Sequence, residues 1–147
     1  MSELYLEDLA VGQIYRTERT RMTAEAIKAF AREYDPQPFH VDEQSAGESL
    51  FDGLAASGWH TAAVTMKLLV GGPFRLAGGL IGARLEELQW PRPTRPGDEL
   101  RVETEILEVR PSESRSGHGW VKVRTRTLNQ KDEVVQSYVG NLIARRR

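Results

Sequence analysis

Cysteine is absent from the 147 residues, which excludes disulfides, thiolate nucleophiles and thiolate metal sites. Histidine is scarce: the 3 positions, His40, His60 and His118, have no convergent spacing, so no metal site and no other cofactor is expected. Neither sign of charge is in excess. Lys and Arg number 20 against 21 Asp and Glu, for a net charge of −1, so no global field favours nucleic acid or an anionic membrane. The basic end Arg145-Arg146-Arg147 is expected to be a solvated tail. No apolar run approaches the ~20 residues of a membrane span, and the acidic start lacks a signal-peptide pattern. A cytoplasmic location is the expectation. Glycine-rich phosphate loops of either standard spacing are missing. What remains, 39% hydrophobic and 28% charged, suits a soluble chain forming one domain over residues 1–147, able to bury roughly two-thirds of its unfolded surface.

Among what is present, the stretch Tyr34-Asp35-Pro36-Gln37-Pro38-Phe39-His40 is the most informative. It follows a segment of helical period, and its two prolines forbid that helix from continuing. Pro36 pushes Asp35 out of the right-handed helical region, and each proline fixes its own φ near −65°. An acid at a helix C-terminus also opposes the macrodipole, which favours a cation there. The position is poor for stability and good for presenting a carboxylate and an imidazole together. A hydrogen-bonded Asp–His pair can move protons near neutral pH. The plainer alternative is a loop whose Asp caps a turn and whose His is merely exposed.

Along the chain, residues 13–22 read as a short exposed strand. Thr23 is a plausible N-cap, and Ile27, Phe30, Ala31 and Tyr34 share one face, so 23–34 is an amphipathic helix. Residues 35–56 lose any period and gather Pro, Gly, Ser and acids, as an irregular connection that carries function. Residues 57–70 carry Lys67 as their only charge and place apolar or small side chains on nearly every side. Such a helix must be wrapped by other structure, and Gly71-Gly72-Pro73 stops it. Residues 80–90, 99–109, 120–128 and 134–144 then read as strands separated by turn signals. Consecutive hairpins make an antiparallel sheet, with the buried helix across its concave face. The expected class is α+β, a sheet wrapped around a helix. Its free edges invite pairing with a second copy of the chain.

Between about Thr23 and Ala144 the chain resembles the MaoC-like (R)-specific enoyl-CoA hydratases and dehydratases of the hot dog fold. That family carries a D-x-N-P-[IL]-H-x-D signature, then a Phe, then a His-Gly pair opening the central helix. Here the matching residues are Asp35-Pro36-Gln37-Pro38-Phe39-His40-Val41-Asp42, then Phe51, then Ser57-Gly58, with Pro96-Gly97-Asp98 before a later strand. Gln37 replaces the customary Asn, and Ser57 stands where many relatives have His.

The resemblance implies that Asp35 and His40 polarise a water for addition to a trans-2-enoyl thioester, or assist the reverse loss of water. It implies that the Gly58 N–H, at a helix N-terminus, meets the thioester oxygen as charge develops there. Removing such a donor typically costs ~3 kcal/mol of barrier. Gln37, Phe51, Ser57, Trp59 and His60 are the expected substrate-binding residues, although a lone His among Trp, Ala and Thr is more often a packed interior residue. The partner is an acyl-CoA or acyl-carrier-protein thioester, and the assembly a homodimer or a higher set of dimers.

Other residues carry blander expectations. Asp42, Glu43 and Glu48 read as a solvated acidic loop, with Phe74, Trp59 and Trp90 as core or pocket wall. Arg84, Arg92 and Arg95 could reach phosphates of coenzyme A. Ser57 with His60 could form a nucleophile pair, but no nucleophile elbow is present. The rivals are a thioesterase, disfavoured because residues 57–70 hold no acid, and a binding module that holds acyl thioesters without turnover.

Overall fold

The structure, a computed structural model, describes residues 2–147. A 3-10 turn at Leu6–Asp8 precedes β1 (Ile14–Arg16), β2 (Thr20–Arg21), α1 (Ala24–Tyr34), α2 (Pro38–Val41), α3 (Glu43–Gly47) and α4 (Gly58–Gly71). Four long strands follow: β3 (Ile81–Gln89), β4 (Glu99–Pro111), β5 (His118–Leu128) and β6 (Val134–Arg145). They form one antiparallel sheet in the order β1-β4-β5-β6-β3, with β2 also paired to β4. Period-two burial decides which face meets the helix. On β4, Leu100, Val102, Thr104 and Ile106 are buried while the residues between them reach toward solvent.

The apolar core falls into two clusters. One gathers Leu6, Leu9, Phe74, Leu76, Ile106, Val121, Val123 and Ala144; the other gathers Met22, Ile27, Ala46, Leu54, Ala56, Leu100 and Val135. A polar layer belongs to neither. Thr65 of α4 bonds Thr127 of β5 across 2.6 Å, and Gln136 of β6 donates to Thr65 across 3.2 Å. Every member is buried and paired, which a polar group inside a fold requires.

Several expectations need correction. The strand over 13–22 is split near Thr17, whose N–H still donates to the Val102 carbonyl (3.0 Å) but whose hydroxyl, not its carbonyl, takes the Val102 N–H (2.9 Å). The connection over 35–56 contains two short helices too brief for any period to reveal. Pro38 opens α2 at a position where a missing N–H costs nothing. Asp42 is exposed, as a solvated acid should be, and has the added role of N-cap of α3, accepting from the Ser45 N–H at 2.9 Å. The terminal Arg147 is tied down by paired bonds to Asp8, both 2.9 Å.

The largest correction concerns α4. Its buried residues are His60, Thr61, Thr65 and Leu69, whereas Trp59, Met66 and Val70 are 57%, 46% and 56% exposed. The sheet wraps one side of the helix and leaves the other apolar side open. Among the described residues no helix is long and apolar enough to cross a membrane.

Candidate active site

Asp35 is the C-cap of α1. Its φ of −154° and ψ of 66° lie outside the helical region, as the following Pro36 demands, while its N–H still bonds the Ala31 carbonyl. The chain then turns through Gln37 into α2, which carries His40 inward. The His40 ring is buried, and its Nδ1 lies 2.6 Å from the Ala55 carbonyl oxygen. A carbonyl can only accept, so Nδ1 carries a proton and Nε2 is the nitrogen free for chemistry. Nε2 sits 3.3 Å from Asp35 Oδ2.

Both oxygens of Asp35 are engaged. Gln37 Nε2 donates to Oδ1 at 2.6 Å, and the Ser57 hydroxyl donates to Oδ2 at 2.7 Å. Ser57 is fully buried, and its Oγ also accepts from the Trp59 N–H at 3.2 Å, capping α4. One hydroxyl thereby joins the Asp35 carboxylate to the helix. Burial pushes the Asp35 carboxyl upward, but bonds from Ser57 and Gln37, with the His40 charge, hold it below the ordinary 3.8.

Gln37 and His40, the two partners that flank Asp35, line a cleft of about 330 Å³ together with Phe39, Phe51, Gly58 and Trp90, with Thr61, Arg92 and Thr94 also on its wall. Gly58 is the first residue of α4, and among the described residues no acceptor takes its N–H. A Cβ at this position would lie 2.5 Å from the Trp90 ring, so glycine is required for indole and helix to touch. Asp35, Gln37, His40, Phe51, Ser57 and Gly58 are thus brought together at one end of α4.

Two expected substrate-binding residues are not. His60 turns away and stacks on Phe30 of α1, with ring centroids 4.7 Å apart and planes 7° apart. Its Nδ1 is buried without a partner among the described residues, and burial pushes its pKa down. Ser57 gives its hydrogen to Asp35, so the Ser57–His60 nucleophile pair does not form. Trp59 is exposed and packs edge-on against Trp90 at 5.3 Å instead of lining the cleft.

The arginines also separate. Arg95 is structural, donating to the Gly53, Leu54 and Phe51 carbonyls, and Arg84 is exposed beside Glu86. Arg92 alone of the three stands at the cleft. Thr61 and Thr94, hydrogen-bonded at 3.0 Å, were missed because a lone threonine carries no sequence signal.

An antiparallel sheet wrapped on one long helix, with an acid–imidazole pair at that helix's N-terminus, defines a protein of the hot dog fold. Residues 8–128 match the family model described as a MaoC like domain, and the chain belongs to that family. It is similar to the crystal structure of a MaoC-like dehydratase from Rhodospirillum rubrum, at 58% identity and a TM-score of 0.95, with 98% of each chain covered. An uncharacterized Bacillus subtilis protein, YdeM, is 33% identical over 137 residues, covering 93% of this chain and 94% of that one. A shorter stretch of 61 residues is 43% identical to a mesaconyl-CoA hydratase of Cereibacter sphaeroides, 42% of this chain but 18% of the hydratase. Family membership supports hydratase or dehydratase chemistry in the broad sense.

Proposed function

We propose that the chain is an acyl-thioester hydratase/dehydratase that reversibly adds water to a trans-2-enoyl-CoA, giving a 3-hydroxyacyl-CoA. The observation that carries this reading is the approach of His40 Nε2 to Asp35 Oδ2, 3.3 Å apart, with His40 on the wall of the cleft that Gly58 also lines. The two atoms are too close to admit a water between them, but one beside the pair, within hydrogen-bond reach of each, can be addressed by both. In hydration, its oxygen bonds C3 of the enoyl chain as Asp35 accepts one of its protons. His40, protonated at Nε2, delivers a proton to C2, and the proton on Asp35 then returns to Nε2. One water is consumed and both side chains are restored. Electron density moves to the thioester oxygen during the addition, where the Gly58 N–H at the start of α4 stabilises it.

The donors from Ser57 and Gln37 make Asp35 a weaker base than a free carboxylate. That observation favours the second reading, an acyl-thioester binder without turnover. Following the absorbance of crotonyl-CoA separates the two. Loss of signal, abolished by Asp35→Asn, supports hydration; binding without any signal change supports the second reading. Thiol release without hydration would mark a thioesterase instead.

The same proposal includes a single domain over residues 1–147 and a homodimer. Among the described residues β3 is an edge strand with its outer backbone unpaired, and it exposes Ile81 and Leu85 at 52% and 56% beside the open side of α4. Met66 of α4 and Leu85 of β3 border one apolar recess. An apolar face of this kind calls for a cover, and a second copy of the chain supplies one through the same edge. Light scattering of the purified protein should give twice the chain mass, and Leu85→Lys should shift it to the monomer.

A further inference from the structure

Trp90 follows β3 and is the one tryptophan that lines the cleft. Its ring lies over Gly58 with no gap: a Cβ there would fall 2.5, 2.8 and 2.8 Å from three atoms of the indole. The ring is also tethered. Its Nε1–H donates to Gln136 Oε1 at 2.9 Å, and Gln136 is fully buried on β6. The amide nitrogen of Gln136 donates to Thr65 Oγ1 of α4, which in turn bonds Thr127 of β5. Trp59, edge-on at 5.3 Å, is a further neighbour of the ring. Indole, helix and sheet are therefore one connected unit, and the ring cannot swing away without stranding a buried amide oxygen.

We infer that Trp90, held in place by Gln136, sets the width of the cleft at Gly58 and selects acyl thioesters that carry no substituent on C2. The inference rests on the hydratase reading, in which the thioester oxygen meets the Gly58 N–H. C2 is bonded to that carbonyl carbon, so a branch on C2 stands two bonds from the carbon whose oxygen meets Gly58, within reach of the contact between Gly58 and Trp90. A flat, unbranched chain fits beside a fixed aromatic wall; a C2 methyl must displace it. A methyl group misfitted in a pocket is worth roughly 10- to 200-fold in discrimination.

The test measures calorimetric binding of butyryl-CoA and 2-methylbutyryl-CoA, saturated thioesters that cannot be hydrated, to the wild type, Trp90→Ala and Gln136→Leu. Wild type should prefer butyryl-CoA by at least about tenfold. Trp90→Ala should bring the ratio near one, and Gln136→Leu, which keeps the ring but frees it, should give an intermediate ratio. Trp90→Phe, which keeps a ring without the N–H, covers the case in which the alanine variant does not fold. Equal binding of both thioesters by the wild type, or an unchanged ratio in folded Trp90 variants, overturns the inference, as does absence of binding. Binding with the expected ratios but no hydration of crotonyl-CoA sinks the hydratase reading alone.

Discussion

Ser57 Oγ donates to Asp35 Oδ2 across 2.7 Å while accepting the Trp59 N–H, so one side chain caps the long helix and orients the acid of the candidate site. The family signature places a histidine at this position in many relatives. Serine preserves the cap and adds a short bond to the carboxylate, with Gln37 holding the other oxygen at 2.6 Å. Both departures from the signature therefore converge on Asp35 instead of on substrate. The acid is held in one orientation at the cost of some basicity.

Ser57→Ala removes both bonds. Loss of an N-cap hydroxyl costs about 1 kcal/mol of stability, measurable by urea unfolding. With one donor gone, the Asp35 carboxyl rises from its lowered value. The acid limb of the rate profile should accordingly move to higher pH, which a purely structural loss would not produce.

His60 gives a prediction of opposite character. It is neutral and stacked on Phe30, with Nδ1 unpaired and burial lowering its pKa from 6.5. A depressed folded value means that the unfolded chain takes up the proton first. Its contribution to stability is present above the ordinary 6.5 and is lost as pH falls through the folded value. His60→Leu should flatten the decline in stability between about pH 7 and pH 5, seen by comparing urea midpoints. Turnover at pH 7 should change far less than in His40→Ala.

Much of this was legible in the sequence, for identifiable reasons. Strand alternation in β4 and β5, the Thr23 cap and the Gly71-Gly72-Pro73 stop are local signals, and each element lies within a few residues of its expected bounds. Asp35 and His40 were legible because proline dictates backbone geometry. The direction of His60 was not, because a residue on α4 near Gly58 can face the cleft or α1, and only the packing of Phe30 decides. The open side of α4 was not legible either. An all-round apolar helix says that something must cover it, without saying whether the cover belongs to the same chain.

Gly58→Ala tests the contact at the mouth of the cleft. The added methyl would stand 2.5 Å from the Trp90 ring, and overpacking of this kind typically costs about 1–3 kcal/mol. Unfolding midpoints should fall in the single variant and recover in Gly58→Ala combined with Trp90→Ala. A non-additive pair is expected because the strain belongs to the contact, not to either residue.

Asp35→Asn and His40→Ala probe the pair itself. Each should lower hydration of crotonyl-CoA by ~10²–10⁴, with far-ultraviolet circular dichroism unchanged. The stability of Asp35→Asn should differ from wild type in its pH dependence. The Asp35 carboxyl is held below its ordinary 3.8, so it stabilises the fold above that value and loses the effect as pH falls through the folded one. The gap in unfolding midpoint between wild type and Asp35→Asn should be constant near neutrality and narrow in acid. If instead both variants hydrate at the wild-type rate, neither side chain moves the proton, and the chemistry must be sought elsewhere on the cleft wall.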